Sequence, residues 1–238
     1  MNDQTRAQRK QLREAALNER SLMPEPYRQH KSALLCQQLI QSFDLTLGIT
    51  GRQASECTVG VYSAFPEEVQ LDDFICSLYK RGAKVAFPCM ISDAWSVNPD
   101  CAQIMEMRLV AEKNYHDKTV DFLVNPLKTY THSSKELVQY PYVPASELSM
   151  LVVPVVAFDK NHNRLGYGGG TYDRYLTQFA DSLQLSSNDK TSSNSEQNLC
   201  LDEASDLSCR IVGVAFEEQL VPLIPVEKHD IALPILSL

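Results

Sequence analysis

The chain lacks the features that would place it in several large functional classes. No apolar run approaches the roughly 20 residues needed to span a bilayer. The opening stretch Met1 to Arg6 leads into charged sequence without an apolar secretory core, so a cytoplasmic protein with no membrane contact is expected. The seven cysteines are an odd number with no C-x-x-C pair, which excludes a disulfide framework and a zinc site as organising devices. Cys76, in Phe74-Ile75-Cys76, reads as a small core residue. Positive charge is in deficit: 22 Lys and Arg against 30 Asp and Glu leave a net charge of −8. That argues against nucleic acid as a partner, because duplex binding needs an extended basic face. No internal repeat and no Ser/His/Asp arrangement is evident.

Glycine is also scarce, and unevenly placed. Four of the nine glycines fall at 166, 168, 169 and 170, in Asn163-Arg164-Leu165-Gly166-Tyr167-Gly168-Gly169-Gly170-Thr171-Tyr172-Asp173-Arg174. Glycine loses more backbone freedom on folding than any other residue, so a cluster needs a cause. Close approach of phosphate oxygens to bare backbone N–H groups is one such cause, and a tight turn without a ligand is the other. The loop is not a P-loop, since no Gly-Lys-Ser/Thr follows, and Thr171 breaks the G-x-G-x-x-G dinucleotide pattern. Arg164 before the glycines and Asp173 after them are the residue types that pair with phosphate and hold magnesium.

With 238 residues, 44% hydrophobic and 22% charged, the chain can bury one large core or two small ones. The spacing predicts helices over 3–20 and 26–43, the second carrying Cys36, Ile40 and Phe43 on one stripe beside Leu35 and Leu39. A strand is expected over 57–62. Pro66 is read as opening a helix that runs through Phe74, Leu78 and Tyr79 to a stop at Gly82, and a strand follows over 84–88. This β-helix-β spacing implies parallel strands. From 89 to 145 the pattern is irregular, with 105–110 the best strand candidate. A buried strand over 150–157, the glycine loop, a helix to about 180 and a final strand over 210–216 complete the reading. The Ser-, Asn- and Asp-rich stretch 181–208 has too little apolar content to pack and is expected to be a mobile surface insertion. The expected fold is a single three-layer α/β/α domain over 1–238 with a mainly parallel central sheet. The glycine loop is placed at the carboxyl end of a central strand. At the N-terminus Arg6, Arg9, Lys10 and Arg13 recur at helical spacing, either as a solvated face or as a cation cluster relieved by a polyanion.

Phe158-Asp159 through Tyr172-Asp173-Arg174-Tyr175-Leu176 resembles the signature of the 5-formyltetrahydrofolate cyclo-ligase (methenyltetrahydrofolate synthetase) family. Three further stretches resemble it in the same order: Arg9-Lys10-Gln11-Leu12-Arg13, Val59-Gly60-Val61-Tyr62-Ser63 to Glu68-Val69, and Val212-Gly213-Val214-Ala215-Phe216 to Pro225-Val226-Glu227-Lys228-His229-Asp230. The resemblance implies an ATP- and magnesium-dependent conversion of 5-formyltetrahydrofolate to 5,10-methenyltetrahydrofolate, releasing ADP and phosphate. ATP would phosphorylate the formyl oxygen, a poor leaving group, before the second folate nitrogen attacks the activated carbon and phosphate departs. Carried over residue by residue, Arg9, Lys10, Arg13, Arg164, Gly166, Gly168, Gly169, Gly170 and Tyr172 would contact ATP. Ser63, Glu68, Tyr167 and Thr171 would contact the folate, and Asp173 and Asp230 would hold magnesium. Glu68 also has a plainer reading as a helix-start acid, and Asp230 as a turn residue. Two positions depart from the family pattern: Thr171 replaces the usual aromatic, and Asn125 of Asn125-Pro126 replaces a common glutamate. A catalytically weakened folate- or nucleotide-binding protein of the same fold is the alternative.

Overall fold

The computed structural model describes residues 3–92, 103–186, 209–227 and 230–238. Most of the expected insertion at 181–208 lies outside the described residues. Two long helices come first, α1 (Asp3–Leu22) and α2 (Glu25–Thr50). The chain then runs through β1 (Thr58–Gly60), α3 (Asp72–Lys80), β2 (Lys84–Ser92) and β3 (Gln103–Val110). Two short helices follow, α4 (Glu112–His116) and α5 (Asp121–Val124), then β4 (Thr129–Tyr130) and β5 (Tyr142–Val143). The remainder is β6 (Met150–Pro154), β7 (Ala157–Phe158), β8 (Arg164–Leu165), α6 (Thr171–Ser186), β9 (Arg210–Ala215) and β10 (Ile235–Ser237).

The strands form an eight-stranded sheet in the order β10-β9-β6-β1-β2-β3-β5, with β4 beside the end of β2. β10, β9, β6, β1 and β2 are parallel neighbours, while β3 and β5 add an antiparallel edge. The side-chain period of two divides the sheet residues between its faces. Val85, Phe87, Met150, Val152, Val212 and Val214 meet Leu35, Leu39 and Phe43 of α2 and Phe74 and Leu78 of α3. Ala86, Leu151, Val153 and Ile211 meet Tyr175, Leu176 and Phe179 of α6. The result is three layers, helix on sheet on helix, as expected for parallel strands buried on both faces. No helix among the described residues is long and apolar enough to cross a membrane.

Pro88 in the middle of β2 looks disruptive, because proline cannot donate to a ladder. Even-numbered residues of β2 direct their backbone groups toward β1: Lys84 N donates to Cys57 O (3.0 Å) and Ala86 O accepts from Val61 N (2.9 Å). Pairing with β1 ends at Ala86 and pairing with β4 begins at Met90, so the missing N–H falls in the gap between them.

Several boundaries differ from the sequence reading. Pro66 does not open α3, which starts at Asp72. It lies in a turn closed by Glu68, whose N–H donates to Phe65 O and whose Oε2 accepts from Phe65 N, each at 2.9 Å. The expected strand 150–157 ends at Pro154, and Ala157–Phe158 pairs instead with β8 as a separate antiparallel hairpin. The glycine loop therefore leaves from this hairpin and not from the central strand itself. Strand 210–215 is not the last, since β10 pairs beside it.

Candidate active site

The chain leaves β1 toward β2 on one side of the sheet, whereas β6 sits on the other side of β1 and leads toward β9. Connections from the carboxyl ends of β1 and β6 therefore diverge, which opens the crevice that α/β sheets use for ligands. The β1 exit carries Ser63 and Glu68. The β6 exit carries the β7–β8 hairpin and the glycine loop, and the segment after β9 carries Asp230. Helix α1 closes over them, packing Leu12 and Ala16 on Ala157, Leu165, Val221 and Ile224.

Buried Asp159 organises the hairpin. Its Oδ1 accepts from Asn161 N and Asn163 N (2.9 and 3.1 Å), and its Oδ2 accepts from Asn163 Nδ2 and Ile224 N (3.0 and 2.9 Å). Buried Gln219 braces the same junction through Nε2 to Val155 O and Val156 O (2.6 and 2.8 Å). In the loop beyond, Gly168 and Gly170 have φ of +104° and +63°, backbone that L side chains rarely adopt. Arg13 Nε donates to Gly166 O at 2.8 Å, and its guanidinium carbon lies 3.6 Å from where a Cβ on Gly168 would stand. The loop is thus held open by glycine and covered by a cation from α1.

The four N-terminal cations divide. Arg9 turns inward and grips Asp230 with two bonds, Nη1 to Oδ2 (2.5 Å) and Nη2 to Oδ1 (3.0 Å), plus Pro225 O (3.2 Å). Arg13 reaches the loop. Arg6 and Lys10 face solvent, Lys10 beside Glu14 at 3.7 Å. On the other wall Arg164 Nη2 donates to Asp173 Oδ1 (2.7 Å). The Arg164 Nε and the Tyr172 hydroxyl are buried and have no hydrogen-bond partner among the described residues. Burial, then the Glu68 charge, holds the Tyr172 phenol well above its usual pKa. Asp173 and Asp230 both act on the α1 arginines. The bond to Asp230 raises the Arg9 pKa first of all, with Asp173 adding to it, and the same two carboxylates oppose the lowering that burial imposes on Arg13.

Below the loop, Arg20 of α1, only 3% exposed, donates from Nη2 to Tyr167 Oη (2.8 Å), and that hydroxyl donates to Glu68 Oε1 (2.8 Å). Burial raises the Glu68 pKa, and the Phe65 amide, Tyr167 and Arg20 oppose it in that order. Tyr167 is pushed up to about 12, by burial and then by the Glu68 charge.

Ser63 is tied elsewhere: its Oγ donates to Leu123 O (2.8 Å), on the wall of a cavity of about 340 Å³ that Tyr62, Phe87 and Tyr115 also line. Asn125 bonds Asp121 (2.8 Å), and Thr171 begins α6. Arg20, Asp159 and Gln219 were not singled out from the sequence. For Arg20 a signal existed, because Arg9, Arg13, Ala16 and Arg20 follow one helical stripe.

Among the described residues no group of three or more His, Cys, Asp and Glu could enclose a metal ion. Asp173 and Asp230 are hard oxygen donors of the kind magnesium takes one or two of, with phosphate oxygens and waters completing its shell. They fit a magnesium shared with a phosphate ligand and not a metal held by protein alone.

A model of the 5-formyltetrahydrofolate cyclo-ligase family matches residues 5–192. The 5-formyltetrahydrofolate cyclo-ligase of Escherichia coli K12 is 32% identical over 177 residues, 74% of this chain and 75% of that protein. A probable enzyme of the same name from Schizosaccharomyces pombe is 25% identical over 72% of this chain and 70% of its own. The fold is similar to that of a 5,10-methenyltetrahydrofolate synthetase from Mycoplasma pneumoniae, with TM-score 0.56 and 17% identity over 95% of this chain and 96% of the other. The Aquifex aeolicus synthetase gives TM-score 0.56 and 19% identity over 95% and 89%. The chain belongs to the 5-formyltetrahydrofolate cyclo-ligase family.

Proposed function

We propose that the protein is a cytoplasmic ATP- and magnesium-dependent enzyme that closes 5-formyltetrahydrofolate to 5,10-methenyltetrahydrofolate, releasing ADP and phosphate. The observation that carries this reading is the position of the glycine loop. One side carries the cation Arg13 against Gly166 and Gly168, and the other is joined through Tyr167 to the buried carboxylate Glu68. A polyanion and a hydrogen-bonding heterocycle can therefore meet across a single loop.

Arg13, Arg164 and the loop amides would orient the ATP phosphates and offset the charge that builds up as the terminal phosphoryl group passes to the formyl oxygen. Glu68 would accept N–H bonds from the pterin, fixing the formyl group toward those phosphates. Asp173 and Asp230 would hold magnesium, whose chemistry is to neutralise phosphate charge. Ring closure then needs no protein nucleophile, because the second folate nitrogen expels phosphate within the same bound molecule. Arg9 holds Asp230 and Arg164 holds Asp173. Binding of magnesium would require these pairs to be shared or exchanged.

The decisive experiment follows methenyl absorbance and phosphate release together, with 5-formyltetrahydrofolate, ATP and magnesium. Equal amounts of the two products support the cyclo-ligase. Folate binding with neither product would make the protein a ligand-binding member of its family.

A further inference from the structure

We infer that Arg20 is a positioning residue that couples the glycine loop to Glu68 through the Tyr167 hydroxyl. This rests on the proposed function in taking Glu68 to face the folate and the loop to face ATP. The contacts themselves stand independently of it. Arg20 lies in the last turns of α1, 11 positions beyond Arg9, and the sequence motifs do not include it.

The geometry is that of a relay between two ligand-facing groups. Tyr167 belongs to a loop whose next three residues are glycine, and the residue is half exposed, yet its hydroxyl reaches two buried charges. It accepts from Arg20 and donates to Glu68, so both hydroxyl functions are in use. Arg20 also approaches Glu68 directly, Nη1 to Oε1 at 3.9 Å, and lies 5.8 Å from the Tyr167 ring centroid. Phe65 flanks that ring edge-on, with centroids 5.8 Å apart. Glu68 is 5% exposed, and a carboxylate so placed needs a counter-charge to remain ionised.

Among the described residues Arg20 is the cation paired with Glu68. The other groups facing the carboxylate are Tyr167, Tyr62, Tyr172, the neighbouring Glu67, and Glu25 and Arg28 of α2 across a cavity of about 330 Å³. Of these only Arg28 carries positive charge, and it is bonded to Met23 O. When a folate N–H takes the place of the phenol on Glu68, Arg20 keeps its hold on both partners. The loop then responds to folate while the carboxylate stays charged. A residue that merely filled space at the end of α1 would do neither.

The test uses the full chain in four variants: Arg20→Met, Arg20→Lys, Tyr167→Phe and Glu68→Gln. Carbon-13 NMR of labelled glutamate follows the Glu68 carboxyl in ligand-free protein, assigned by its loss in Glu68→Gln. Kinetics give the pH profile of kcat/KM for 5-formyltetrahydrofolate at saturating ATP, and KM for ATP. Removing an opposite charge at this range raises a carboxyl pKa by about 1 to 3. In Arg20→Met both the Glu68 titration and the acid limb of the profile should therefore move to higher pH by that amount. Tyr167→Phe cuts the link and removes the phenol's bond to Glu68, so KM for ATP should rise roughly two- to tenfold and the Glu68 titration should also move up. Arg20→Lys keeps the charge and loses the planar fork, so it should raise KM for ATP as Tyr167→Phe does while the Glu68 titration stays near its wild-type position. It also carries the test if Arg20→Met does not fold. An unmoved Glu68 titration in folded Arg20→Met would overturn the inference, as would wild-type KM for ATP in both Arg20→Lys and Tyr167→Phe. A moved titration in a protein whose wild type makes no methenyl product would sink the proposed function and leave the role of Arg20 standing.

Discussion

Arg9→Met and Asp230→Asn, made singly and together, probe the clamp between α1 and the segment before β10. Arg9 contributes two bonds to Asp230 and one to Pro225 O, and Asp230 Oδ2 also accepts from Glu227 N at 2.8 Å. The Arg9 and Asp230 side chains are 8% and 11% exposed, so either one left alone is a largely buried charge that has lost its closest partner, with Arg9 keeping Glu227 at 4.0 Å. Removing one partner of a buried pair costs about 3–5 kcal/mol. The Glu227 amide still serves Asp230 in Arg9→Met, which places that variant near the lower end, at about 3 kcal/mol. For a chain of this size that is a fall in Tm of roughly 6–12 °C. The double variant leaves neither charge stranded. Its cost should fall below the sum of the singles by about 2 kcal/mol, a coupling typical of contacting residues. Thermal melts of all four proteins measure this directly. Repeating them at saturating magnesium-ATP, which should add about 2.7 kcal/mol to the wild type at a hundredfold excess over Kd, shows whether the clamp also serves the nucleotide. Strictly additive losses, or a wild-type melt in either single variant, would refute the reasoning.

Four further outcomes follow from the same geometry. Arg13→Ala should raise KM for ATP roughly 10- to 150-fold through loss of a charge-assisted contact. Lys10→Ala, at an exposed position beside Glu14, should leave that KM and the stability nearly unchanged in the same steady-state and melting measurements. Gly168→Ala should cost about 1–2 kcal/mol, because its φ of +104° strains any L side chain, whereas Gly166→Ala opens onto free space and should cost less than half of that in denaturant titrations. Asp173→Asn should require more magnesium for half-maximal rate and should also melt below the wild type, because it leaves the buried Arg164 guanidinium without its carboxylate; a wild-type magnesium dependence would remove Asp173 from the metal site.

How much of this was legible in the sequence depends on whether a feature's cause is local. The apolar residues 85–87, 150–153 and 211–214 of the expected strands have one solution, burial on both faces, and the structure places each in the parallel core. The glycine cluster was equally plain, since glycine takes without strain the positive φ found at Gly168 and Gly170. The β7–β8 hairpin was not, because two-residue strands contain no period to read, and what holds them is Asp159, whose four side-chain bonds reach three residues from 2 to 65 positions away. Pro66 misled for a related reason: an acid two residues after a proline reads as a helix start, but Glu68 spends its carboxylate on a turn amide and on Tyr167, 99 positions distant. Helix α1 shows the limit most clearly. Its composition is mostly polar, so the cation spacing over residues 6–13 pointed to Arg9 and Arg13 without separating them from the solvent-facing Arg6 and Lys10, and it did not reach Arg20. The buried face runs through Arg9, Ala16 and Arg20. Two of those three are charged, and each is accommodated only because a carboxylate or phenol arrives from 221 or 147 positions further on. Which arginines of a polar helix turn inward is decided by partners that the helix's own sequence does not contain.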